Sequence, residues 1–212
     1  MQDHRLCIII NKFMLTIDVT IKGIGPMLHA KHPTPDEEAE ILKRMSAPKA
    51  KVKDMTEKEK FDMHAYKVGK KFIQPGEMIE AAMTKAAVQY KLEGKKTYKD
   101  AFKAGVIVEQ EKIVHKNQKV TYSKEEPKDQ KTWYMDARWA KNPSTRGAIW
   151  VVRPRINEWE LDFTINVLLD ELIPTDIIRG VLDYAGLYVG IGAWRPKFGR
   201  FEIKKFKVNE AK

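Results

Sequence analysis

The segment "PTDIIRGVLDYAGLYVGIGAWRPKFGRFEIKKFKV", residues 174–208, decides the fold class of this chain. Its first part predicts an amphipathic helix over 176–185, because apolar residues recur at three- and four-residue spacing and Gly186 follows them. Its last part alternates apolar and polar residues, which is typical of a strand over about 200–207. The alternation slips at Lys204–Lys205, which predicts a β-bulge. A helix followed by a glycine-rich turn and a strand is typical of the second half of an α+β unit.

Four earlier segments complete that unit. Strict alternation predicts strands over 14–22 and 159–167, and an Ala-rich apolar stripe predicts a helix over 77–90. A further strand over 147–153 is joined tightly to the next one through Arg153–Glu158, which predicts a hairpin. The order strand, helix, strand, strand, helix, strand defines the fold class: α+β, with a ferredoxin-like (RRM-like) βαββαβ core and a charged β-rich insertion.

The domain organisation follows from what lies outside these segments. Residues 1–13 are predicted to form an N-terminal arm, and Met14 is a second candidate for the native start. Residues 14–212 are predicted to form a single domain, since 212 residues are enough to bury a core without disulfides or metals. Two charged excursions interrupt this domain, at about 31–71 and 95–146.

Charge and composition favour a polyanionic partner. The formal net charge is +10, and the last 27 residues hold seven Lys/Arg against two Glu, half of that total. Cys7 is the only cysteine, so no disulfide forms within one chain, as in a reducing, cytoplasmic setting (the host cytoplasm for a viral protein). No run approaches the ~18 apolar residues of a membrane span, so no membrane partner is predicted.

The glycine-rich turn carries the first candidate site. It is not a dinucleotide-binding turn, because no glycine stands at position 195 and a helix precedes it where a strand is required. A nucleic-acid clamp fits better: glycines let the backbone approach phosphates, cations neutralise them, and tryptophan stacks on bases. The alternative is a glycine-bent hairpin whose aromatics, Phe198 above all, fill the core. The predicted contacts are Gly190, Gly192, Trp194, Arg195, Lys197, Gly199 and Arg200.

A second candidate is the segment around "RPR". Arg153 and Arg155 are expected on the same side of an extended chain with Pro154 between them, and arginine suits bidentate phosphate contact. A solvated hairpin tip is the alternative. Three aromatics of the preceding strand candidate offer either base stacking or core packing: Trp133, Tyr134 and Trp139.

No specific catalytic or metal-binding signature is present. His29 and His32 have the spacing of a metal-ligating pair, but no third ligand completes a site, so neither a metal nor a cofactor is predicted. His29 is a weak candidate for the general base of a metal-independent endoribonuclease. A solvated or capping histidine is the favoured interpretation, because no partner acid or base is identifiable.

Three segments resemble the RAMP superfamily, the ferredoxin-like RNA-binding proteins of CRISPR effector complexes. They are "GIGPMLHAK" after the first strand, "FIQPGEMIEAAMTKAA" at the first core helix, and "GLYVGIGAWRPKFGRFEI" before the last strand. The chain is closer still to phage-type proteins with a C-terminal GIGxWRPxFGRF motif. The resemblance implies that the glycine-rich loop lies against bound RNA and that copies assemble side by side along the strand.

The predicted function is therefore non-enzymatic binding of single-stranded RNA or DNA, with assembly along the strand into a homo-oligomer or a complex with other nucleoprotein subunits. Two alternatives stay open at this stage. One is the endoribonuclease that uses His29. The other is a phage or mobile-element assembly protein that packs through its free sheet face and has no nucleic-acid role.

Overall fold

The computed structural model describes residues 15–33, 35–44, 55–141, 146–168 and 171–209. The predicted arm, 1–13, lies outside these residues. The helices are α1 (Pro35–Arg44), α2 (Glu57–His64), α3 (Gly76–Ala86), α4 (Lys99–Gly105) and α5 (Thr175–Tyr184). The strands are β1 (Leu15–Gly23), β2 (Met27–Leu28), β3 (Lys67–Val68), β4 (Lys71–Pro75), β5 (Lys91–Glu93), β6 (Lys96–Thr97), β7 (Val106–Val108), β8 (Lys112–Val114), β9 (Tyr134–Lys141), β10 (Ala148–Ile156), β11 (Glu160–Val167) and β12 (Phe201–Asn209).

The centre of the fold is a four-stranded antiparallel sheet with strand order β12-β1-β11-β7. In chain order β1, β7, β11 and β12 are the first, second, third and fourth core strands, so the spatial order is 4-1-3-2. Helices α3 and α5 cover one face, and their apolar stripes pack with the alternate apolar residues of β1 and β11 in one continuous core. The fold is α+β and ferredoxin-like, as the sequence predicts.

The second core strand is not the predicted one. The strand over 147–153 belongs to β10, which pairs with β9 and β2 in a separate three-stranded sheet. Its place in the core sheet is taken by β7, which pairs over only three residues. The hairpin predicted at Arg153–Glu158 is therefore wrong, because β10 and β11 enter different sheets. A long, strongly alternating strand gives the clearer sequence signal, whereas a three-residue edge strand depends on its partner.

The bulge predicted in the last strand is confirmed. Thr20 of β1 faces Lys205 and the next residue, Ile21, faces Ile203, so Lys204 has no residue opposite it. The end of α5 differs from the prediction, since a five-residue π-turn (Ala185–Val189) continues the helix to Gly190, whose φ is 71°. Gly186 lies inside this turn.

The face of the core sheet opposite the helices is polar. It presents Asp18 and Thr20 of β1, Asp162 and Thr164 of β11, and lysines of β12. Thr20 donates to Asp162 at 2.7 Å. Over the described strands this face carries no aromatic side chain, so it lacks the base-stacking platform of an RRM-type sheet. None of the described helices is long and apolar enough to cross a membrane.

Candidate nucleic-acid interface

The glycine-rich element, residues 190–200, is closed by an internal backbone hydrogen bond and is hydrogen-bonded to the backbone at and just before β2. The Ile191 N–H donates to the Gly199 carbonyl at 3.0 Å, which closes the loop at its base. The Ala193 N–H donates to the Leu28 carbonyl at 2.9 Å, and the Gly199 N–H donates to the Pro26 carbonyl at 2.8 Å. The element is thereby held against the segment that follows β1.

The glycines of this element lie where two segments of the protein's own backbone pack closely. Gly190, Gly192 and Gly199 have φ values of 71°, 81° and 75°, the left-handed region that favours glycine. A Cβ at Gly199 would lie 1.7 Å from the Ile191 carbonyl oxygen, and one at Gly192 would lie 2.6 Å from that of Leu28. Gly190 and Gly199 are buried and pack against the protein's own backbone, and their predicted contact with nucleic acid stays a prediction.

The side chains of the same element divide between surface and interior. Arg195, Lys197 and Arg200 are exposed, as a clamp requires, and Trp194 is 37% exposed. Phe198 is only 5% exposed, so its alternative role in the interior is the one that the structure supports. The Phe198 ring lies 6.2 Å from the Trp194 ring.

An arginine-bearing face of β9 and β10 lies against these aromatics. In the register of the two strands, Arg153 is opposite Asp136, and Arg155 is opposite Tyr134. Alternation places these four residues on one face of the sheet, together with Arg138. The structure therefore confirms that Arg153 and Arg155 share a side, with the buried Pro154 between them.

One buried carboxylate holds two of the arginines. The Asp136 side chain is 3% exposed. Arg138 donates to it from Nε, at 2.5 Å from Oδ1, and from Nη2 to Oδ2. Arg155 forms an ion pair with the same carboxylate, with Nη1 3.6 Å from Oδ2, and donates from Nε to the Asn157 Oδ1 at 3.0 Å. The buried Asp136 carboxylate thus fixes the positions of the Arg138 and Arg155 guanidinium groups.

Trp194 lies next to two guanidinium groups. The guanidinium carbon of Arg153 is 4.8 Å from the centre of the Trp194 ring, and that of Arg138 is 5.0 Å from it. Burial lowers the pKa of Arg153, although the charge of Asp136 opposes that shift. The Nε and Nη1 atoms of Arg153 are buried and have no hydrogen-bond partner in the described structure. We call Arg138, Arg153 and Arg155 with Asp136 the arginine cluster.

Arg138 was missed by the sequence analysis. The spacing of Asp136 and Arg138 in "YMDARW" predicts that the two side chains share one face of a strand. Only the observed register shows that this face also carries Arg153 and Arg155 of β10. The aromatic residues of the segment "WYMDARW", residues 133–139, differ in exposure. Trp133 is fully buried and stacks on Phe72 at 4.4 Å, so it belongs to the core. Tyr134 is buried too, and Trp139, which is 66% exposed, packs edge-on against Trp150.

His29 lies in the interior of the protein, among aromatic rings. Its side chain is fully buried, with its ring 4.5 Å from that of Trp133 and 5.5 Å from that of His115. Burial, with smaller contributions from His115 and Lys67, lowers the pKa of His29 well below 6.5. This burial does not favour the general-base hypothesis, which stays a prediction. Among the described residues, no group of three or more metal-ligating side chains is present.

Comparisons with known proteins bear on the fold. No protein-family model matches the sequence, and a search of curated proteins gives no significant match. The structure is similar to a chain in the cryo-EM structure of the Type III-B Cmr-beta bound to cognate target RNA, with a TM-score of 0.51 and 10% sequence identity. The match covers 98% of this chain but only 65% of the length of that chain. The likeness supports the ferredoxin-like fold that the RAMP resemblance implies.

Proposed function

We propose that this protein binds single-stranded nucleic acid, RNA in the first instance, through the surface formed by the glycine-rich element and the arginine cluster. The observation that carries the proposal is the placement of the part-exposed Trp194 on two guanidinium groups, with exposed cations beside it. A flat aromatic surface and fixed positive charges are what a nucleotide strand requires, since bases stack and phosphates pair with cations.

RNA is the first ligand to test because the similar solved chain belongs to a structure bound to target RNA. The RAMP resemblance, with its RNA-bound glycine-rich loop, favours the same choice. Assembly along the strand and membership of a larger nucleoprotein complex belong to the same proposal. The proposed role is binding without catalysis, since His29, the weak candidate for a general base, is buried.

The proposal is tested by removing the two exposed arginines that flank the loop. Arg195→Ala with Arg200→Ala should weaken binding of a labelled single-stranded RNA. The slope of log affinity against log salt concentration should become shallower by about 0.7 for each lost phosphate contact. Fluorescence anisotropy titrations at several salt concentrations measure both quantities. The same titrations with DNA of matched sequence establish whether the sugar matters.

Lys95→Ala with Lys96→Ala is the matched control, because it removes the same charge from an exposed hairpin, β5–β6, in another sheet. This control should keep the affinity and salt slope of the wild type. Equal losses in the two double variants would show that the protein attracts RNA only through its net charge. Absence of wild-type binding to both RNA and DNA would end the proposal.

A further inference from the structure

The arginine cluster has far more hydrogen-bond donors than acceptors. Each guanidinium carries five N–H donors and no acceptor, so three arginines bring about fifteen. Among the described residues, the acceptors that they reach are the two oxygens of Asp136 and the Oδ1 of Asn157. Arg153 shows the consequence most clearly, since its buried Nε and Nη1 have no partner in the described structure.

The charges in the cluster are also unbalanced. The four residues of the cluster sum to two positive charges in a part-buried setting, and the nearby Glu126 carboxylate accepts from Asn157 Nδ2 at 2.7 Å. Charged donors that are withdrawn from water without an acceptor cost free energy, and the remedy is a ligand with several acceptor oxygens and a negative charge. A phosphodiester group has both properties and is matched by the planar fork of arginine.

We propose that the arginine cluster binds one phosphodiester group of the strand at a defined position, and that Asp136 is the positioning residue of this site. The inference rests on the proposed function. Asp136 is an acid at the centre of a site for an anion, and it repels the ligand by charge. Its contribution is to hold Arg138 and Arg155 in place, so that little side-chain freedom is lost when the phosphate binds.

Asp136→Asn separates the two effects by the sign of the change. The variant raises the net charge by one, so a surface that works through charge alone predicts tighter binding. Positioning predicts the opposite, because an asparagine accepts from Arg138 through one oxygen only and without its charge. We expect RNA affinity to fall about tenfold in the anisotropy titration, the size of one lost charge-assisted contact.

Glu93→Gln is the matched control for charge. Glu93 is exposed on β5, in a different sheet, and its replacement also raises the net charge by one. Affinity for the same RNA should stay equal to that of the wild type or increase slightly. Asp136→Asn binding that matches this control, or that exceeds the wild type, would overturn the positioning role.

Arg138→Lys keeps the test informative if Asp136→Asn does not fold. Lysine retains the charge and most of the length but has no planar fork, so it cannot pair with Asp136 and a phosphate in the same geometry. We expect severalfold weaker binding with the far-ultraviolet circular dichroism of the wild type. Full affinity in Arg138→Lys would exclude a defined phosphate site. A wild-type protein that binds no nucleic acid removes the proposed function itself, which is a separate result.

Discussion

At the scale of single residues, the two buried histidines link the fold to pH. His29 and His115 are 0% and 2% exposed, and neither Nε2 has a hydrogen-bond partner in the described structure. Burial lowers the pKa of His115 from 6.5 to about 3 and lowers that of His29 well below 6.5. Because the unfolded chain binds protons near pH 6.5 that the folded chain does not, stability is full above that pH and is lost as the pH falls.

We therefore expect the free energy of unfolding to decrease by about 1 kcal/mol per pH unit on account of His115 as the pH falls from ~6 to ~4, with a further decrease in the same direction from His29. His115→Leu should remove the part of this dependence that His115 contributes and cost little at pH 8, since the ring nitrogens that it deletes have no partners in the described structure. Urea unfolding at a series of pH values measures both effects.

Ile113→Val is the matched control for the histidine substitution. Ile113 is buried on β8, two residues from His115, and carries no titratable group. Its replacement should lower stability by about 1 kcal/mol at every pH and leave the pH dependence unchanged. A His115→Leu variant with the same pH dependence as the wild type would show that the acid sensitivity arises elsewhere.

At the scale of elements, the glycine-rich element is specified by close backbone packing. Gly199 combines a φ of 75° with a position where any Cβ would overlap the Ile191 carbonyl. We expect Gly199→Ala to destabilise the protein by about 3 kcal/mol or more, because both the conformation and the space exclude a side chain. The midpoint of urea unfolding measures the loss.

Gly25→Ala is the control, since no atom lies within 4 Å of a Cβ built there. Gly25 lies in the turn between β1 and β2, close in sequence to Pro26, which accepts the Gly199 N–H. Its replacement should change stability by no more than about 0.5 kcal/mol. Equal stabilities for the two variants would mean that the loop adapts, and that its glycines are not required for its path.

The sequence predicted the elements whose patterns are local. Strands β1, β11 and β12 alternate over eight or nine residues, and α3 and α5 carry clear apolar stripes. The three residues of β7 form a core strand only because they pair with the edge of β11. A local sequence pattern does not predict that pairing. The sequence therefore predicts the longer β10 as the second strand of the core sheet.

The same distinction applies to the site. Loop charges such as Arg195 and Lys197 are exposed, as their sequence context predicts. Arg138 joins the cluster only through the register of β9 and β10, and the burial of His29 depends on rings from distant segments. Both the position of Arg138 and the burial of His29 depend on tertiary contacts, which a local sequence pattern does not predict. The glycines predict close approach of the backbone to a ligand, and in the structure they permit close approach of the protein's own backbone segments.

At the scale of the whole molecule, the arrangement of charge matters more than its sum. The polar face of the core sheet holds lysines of β12, but acidic residues lie among them. Hydrogen bonding from Asn209, together with the charges of Lys205 and Lys207, lowers the pKa of Asp18, and Lys116 pairs with Asp162 at 2.8 Å. Charges that neutralise one another contribute little to the field that a polyanion meets.

We therefore expect Lys205→Gln with Lys207→Gln to leave RNA affinity within about twofold of the wild type and the salt slope unchanged. This double variant loses the same net charge as Arg195→Ala with Arg200→Ala, so the pair compares two faces of one molecule at equal charge. Anisotropy titrations of both variants over the same salt series decide the comparison. A strand that ran across the open sheet face would reverse the result, with the lysine variant losing affinity and salt slope and the arginine variant retaining both.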